Sequence, residues 1–80
     1  MENTVSKAAA VKVIEDQIIY WAEEITRNAV DLMHMEQRFK DNTCTLDGLI
    51  LYKQDHGNRV FGIRAVLVEL YAVKEAMERL

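Results

Sequence analysis

The stretch IEDQIIYWAEEITRNAVDLMHMEQRF, Ile14 to Phe39, decides the architecture. Within it Ile14, Ile18, Trp21, Ile25, Asn28, Leu32, Met35 and Phe39 follow one another in steps of 4, 3, 4, 3, 4, 3 and 4. That spacing draws one narrow stripe along a helix, the form of contact through which one helix packs lengthwise on another. Seven of the eight positions are apolar, and the exception, Asn28, sits near the middle.

The second half of the chain supplies the partner stripe. Leu46, Leu49, Lys53, His56, Val60, Ile63, Leu67, Leu70, Lys74 and Met77 alternate steps of 3 and 4 without a break. Folded at the polar run Lys40-Asp41-Asn42-Thr43-Cys44-Thr45, the two stripes meet in register. Phe39 faces Leu46, Met35 faces Leu49, Asn28 faces His56 and Trp21 faces Ile63, each pair of residue numbers adding to 84 or 85. A constant sum is what an antiparallel helical hairpin requires. The expected elements are a helix over about 5–40 capped by Thr4 or Ser6, with Met1 to Asn3 frayed. A loop over about 41–45 follows, then a helix over about 46–80 capped by Thr45 or Asp47. Gly48, Gly57 and Gly62 all fall in that second helix and weaken it. Gly57-Asn58 reads as its weak point, where a kink is expected rather than a full break, because the stripe continues past it.

Composition agrees with an all-α fold. The 80 residues contain no proline and three glycines, and 50% are apolar. Apolar residues also lie off the stripes, at Ile19, Val30 and Met33 on the first helix and at Ile50, Leu51, Phe61, Val66, Val68, Tyr71 and Val73 on the second. A single hairpin cannot cover more than one face of each helix, so the excess predicts assembly into a homodimeric four-helix bundle or a higher helical oligomer. Trp21, Tyr20, Phe61 and Tyr71 are the aromatic candidates for that interface.

The net charge of −3 offers no basic face for nucleic acid, and no apolar run reaches the length of a membrane span. One cysteine, Cys44, has no internal partner, which fits a reducing cytoplasm. It has no neighbouring histidine in sequence and reads as an inert loop residue. Asp31 and His34 could share a helix face opposite Asp55 and His56. That single Asp-x-x-His falls short of the paired carboxylate–histidine set that bundle metal sites use. Glu15-Asp16 and Glu23-Glu24 read as a solvated acidic side, and Lys74, Glu75, Glu78 and Arg79 as pairs spaced i, i+4. With no phosphate loop and no zinc spacing, neither catalytic residues nor a cofactor is expected.

What remains is a polar layer in an apolar stripe. Asn28 and His56 can satisfy each other and fix register, as single polar positions do in coiled coils. Alternatively the layer opens into a pocket with Arg27, Asp55, Asn58 and Arg59, in which Arg27, Arg59 or Arg64 would hold an anionic group such as a nucleotide phosphate. Two functions follow. One is a non-enzymatic module that binds another protein, as adaptors, regulators and phage-type inhibitors do. The other is an oligomer that sequesters an anionic small molecule between protomers.

Overall fold

The computed structural model describes residues 6–80, and 89% of them are helical, with no strand. Helix α1 runs Lys7–Lys40 and helix α2 runs Leu46–Glu78. Thr4 and Val5, the alternative cap and the expected first helical residue, lie outside the described residues, as do Met1 to Asn3. The cap of α1 is Ser6, whose hydroxyl accepts from the Ala9 N–H at 3.1 Å. Thr45 does the same for α2, accepting from the Gly48 N–H at 3.0 Å, with Asp47 in the first turn where its charge suits the helix N-terminus. Gly48 leaves the cap its room: a Cβ there would sit 3.1 Å from the Thr45 hydroxyl oxygen. Helix α2 is one helix through Gly57 and Gly62.

Between the helices, residues 41–45 reverse the chain. Asn42 adopts φ 59°, the left-handed conformation. The Thr43 N–H returns to the Arg38 carbonyl at 2.8 Å and the Asn42 N–H to the Phe39 carbonyl at 3.1 Å. These two bonds form a Schellman closure, with asparagine in the position that glycine usually holds. The Thr43 hydroxyl adds a second bond to the Arg38 carbonyl at 2.9 Å.

The hairpin has a seam rather than a deep core. Along α1 the stripe from Ile14 to Met35 is buried or half-buried, and along α2 so are Leu49, His56, Val60, Ile63, Leu67, Leu70, Lys74 and Met77. Among the described residues only Leu49, Ile63 and Asn28 are buried. Phe39 and Leu46, where the stripes should first meet, are exposed beside the turn. The two lysines on the α2 stripe reach sideways to glutamates flanking the α1 stripe, Lys53 to Glu36 at 3.3 Å and Lys74 to Glu15 at 3.4 Å. Such partly exposed pairs are each worth about 0.2–1 kcal/mol, so they trim the register that the apolar contacts set. Lys74 therefore bridges the helices and does not pair along its own, whereas Arg79 does pair with Glu75 four residues back. The result is a rod of 63 × 19 × 15 Å with a radius of gyration of 18.3 Å, against the about 12 Å typical of a compact chain of this length.

The off-stripe apolar residues stand in water. Ile19, Val30 and Met33 on α1, and Ile50, Leu51, Phe61, Val68, Tyr71 and Val73 on α2, are all exposed; of those expected off the seam only Val66 is partly covered. No described helix is long and apolar enough to cross a membrane.

Asn42 offers a direct check on the turn. Asn42→Gly should leave stability unchanged or slightly higher, while Asn42→Val should cost about 1–2 kcal/mol in urea unfolding, because a β-branched side chain resists left-handed backbone. Equal stability for the two variants would contradict this closure.

Candidate functional site

The hairpin has two sides flanking the seam, and they differ chemically. On one side a groove of about 440 Å³ is lined by Trp21, Glu24, Asn28, Arg59, Gly62, Ile63 and Val66. On the other a smaller groove of about 300 Å³ brings Ile19 and Tyr71 together with the Glu15–Lys74 bridge.

The first groove contains the polar layer. Asn28 keeps only 8% of its exposure, and both ends of its amide are used. Its Nδ2 donates to the Glu24 carbonyl oxygen one turn back at 2.8 Å, and its Oδ1 accepts from Arg59 Nε at 3.0 Å. The expected Asn28–His56 pair is therefore replaced by Asn28–Arg59. The reason is reach: Arg59 lies one turn beyond His56 and its long side chain can lean back over the seam. His56 stays half-buried on the stripe, and its Nδ1 is buried with no partner.

Arg59 is held from two sides. Besides the bond to Asn28, its guanidinium lies over the Tyr52 ring, 5.6 Å from the centroid. A cation over an aromatic face is attracted by the ring and keeps its charge. Arg59 thus presents a fixed positive group at the edge of a groove whose walls are mostly apolar. Beside it Arg27 pairs with Glu24 at 2.7 Å and with Glu23 at 3.8 Å, and lies 5.8 Å from the Tyr20 ring centroid. These pairs engage Arg27 within its own helix, and the Glu24 hydrogen bond raises its pKa above the ordinary value. Asp55 and Asn58 are exposed, and so are Asp31 and His34. Among the described residues no three His, Cys, Asp or Glu side chains gather where they could hold a metal ion. Cys44 is half-buried, its Sγ 3.9 Å from the Met35 carbonyl oxygen.

The aromatic interface candidates do not share a surface. Trp21 lines the Arg59 groove and meets Tyr20 edge-on at 5.1 Å between centroids. Tyr20 lies under Arg27 on that same side, whereas Tyr71 lines the groove opposite. Sequence spacing alone overlooked Tyr52, Gly62 and Val66 as groove residues. The signal was present: Tyr52, Arg59, Gly62 and Val66 step by 7, 3 and 4 along one line of α2.

Against known proteins the chain stands apart: no family model matches it, and neither a curated protein nor a solved structure is significantly similar.

The polar layer makes a sharp stability prediction. Replacing Asn28 removes a buried amide whose partners, an exposed arginine and a helical carbonyl, remain satisfied without it. Replacing His56 removes a buried nitrogen that has no partner. Asn28→Leu combined with His56→Leu should therefore melt no lower than the wild type, and should gain about 1–3 kcal/mol if the orphan Nδ1 carries its usual penalty. A loss of stability on thermal denaturation would show the layer to be structurally required.

Proposed function

We propose that this chain is a small non-enzymatic interaction protein, acting in the cytoplasm, that completes its core by assembling with itself and binds and modulates another protein. The observation that carries the reading is the imbalance between covered and uncovered apolar surface. Three described residues are buried, while fourteen large apolar residues, with Phe61 at 77%, are exposed. Few large apolar side chains are hidden by the hairpin itself, and where exposed ones gather into patches they mark sites of association. The assembly the hairpin suits best is a homodimeric four-helix bundle, in which a second pair of helices covers a face of the first.

The Arg59 groove is the surface offered to a different protein. Its apolar walls suit an anchor side chain from an amphipathic helix, and the fixed guanidinium suits a carboxylate beside that anchor. Adaptors, regulators and phage-type inhibitors work through surfaces of this kind. A second reading rests on the same arginine: the groove sequesters an anionic small molecule, with Arg59 on its charged group and Trp21 on its apolar part.

The two readings separate by experiment. Immobilised wild-type protein should retain a discrete protein partner from cells, and Val66→Glu, which places a charge in the groove wall, should lose it with the helical content unchanged. A small molecule would instead appear in native mass spectrometry as an added mass of a few hundred daltons that Arg59→Ala abolishes. Retention undiminished by Val66→Glu, with no added mass, would contradict both uses of the groove.

A further inference from the structure

The side opposite Arg59 carries a pattern of its own. One step past the α1 seam, Ile19, Ala22, Thr26, Ala29 and Met33 run in steps of 3, 4, 3 and 4, all exposed. On α2, Ile50, Gly57, Phe61, Val68 and Tyr71 lie on a corresponding line, with Gln54 and Arg64 between them, again all exposed. The two lines fall on one side of an antiparallel hairpin, as Ile19 and Tyr71 show by lining a single groove. Arg64 is the one charge on them. Each end of the patch is closed by a cross-helix bridge, Glu15–Lys74 at one end and Glu36–Lys53 at the other. The bridges stand 21 residues apart on both helices, about 31 Å at 1.5 Å per residue.

We propose that this face is the self-association surface, covered by a second copy of the chain about a two-fold axis running along the length of the rod. The inference rests on the interaction reading above and names the partner for this one face. Three observations select the occupant. The first is area. The chain exposes 6090 Å², against about 5,000 Å² for a compact monomer of its mass, and the surplus of about 1,100 Å² is more than the roughly 800 Å² that each partner contributes to a standard stable interface.

The second is charge. A lengthwise two-fold lays α1 against the partner's α2, antiparallel and at equal heights, so Glu15 meets the partner's Lys74 and Glu36 meets the partner's Lys53. An axis across the rod would instead set Glu15 against the partner's Glu36 and Lys74 against the partner's Lys53, like against like.

The third is shape. The α1 line is small in its middle, with Ala22, Thr26 and Ala29, while the α2 line is large there, with Phe61. Small against large fills space on both halves of the interface. Gly57 fits the same arrangement: a Cβ added to it would meet nothing within 4 Å in the single chain, so the hairpin itself gives no reason for a residue that weakens a helix. At the height of the partner's Ala29, Gly57 allows the two backbones to approach closely.

Disulfide trapping tests the arrangement in the full chain. In a Cys44→Ser background, Ala29→Cys and Gly57→Cys proteins are oxidised separately and after mixing with exchange, then resolved on non-reducing gels. The expected result is a covalent dimer in the mixture and at most a tenth as much in either protein alone. No dimer in the mixture, or abundant dimer with Ala29→Cys alone, would overturn the proposal. Light scattering supplies the second measurement: wild type should be dimeric at micromolar concentration, Phe61→Glu should weaken the dimer at least tenfold, and Tyr20→Glu on the opposite side should leave it unchanged. A wild-type monomer, or equal loss with both variants, overturns the face assignment. Partner capture through the Arg59 groove, abolished by Val66→Glu, would still stand in that event.

Discussion

Two helices in contact can hide only one stripe each, and that limit governs everything else in this chain. The stripe from Ile14 to Met35 against the stripe from Leu49 to Met77 fixes the antiparallel register, and with it the position of the turn and the two sides of the rod. It also determines what is left over. Half the residues are apolar, and a contact one stripe wide cannot cover them. A hairpin whose best-buried residues are Leu49, Ile63 and Asn28 is held by a seam that stops well short of a globular core. The surplus apolar surface is thus a direct consequence of building with two helices, and a functional reading has to account for it.

Polar residues on the seam give the two sides their different characters. Lys53 and Lys74 can lay their aliphatic stems along the contact while their ammonium groups swing to Glu36 and Glu15. The bridges fall on the Phe61 side and close the ends of its apolar patch. Asn28 turns the other way, to Arg59, and with Tyr52 beneath the guanidinium it holds that arginine at the edge of the larger groove. One side is therefore apolar with a charged rim, and the other is an apolar trough with a fixed cation. The division suits self-association on the first and recognition of a different partner on the second.

The parts legible in the sequence were those that depend on spacing and on local backbone chemistry. Heptad steps gave both helices and the stripes that they turn toward each other. Thr45 declared itself as a cap by its place before an apolar run, and the polar segment around Asn42 declared the turn. What spacing could not supply was direction. Asn28 and His56 lie opposite each other by number, but a side chain of arginine length one turn away takes the asparagine, and only the fold shows that. The same holds for the aromatics: Tyr20, Trp21, Phe61 and Tyr71 look like one interface set in the sequence, yet the seam separates Phe61 and Tyr71 from the other two. Gly57 appeared as a weak point in a helix, and α2 passes through it because the stripe continues on both sides.

Small-angle X-ray scattering on an absolute scale tests the proposed pairing of hairpins most directly. A side-by-side pair predicts a particle of twice the 9.3 kDa chain mass whose longest dimension remains close to the 63 Å of the single rod. A particle of one chain mass would contradict that pairing. So would a dimer of nearly doubled length, because end-to-end association leaves the Phe61 face uncovered.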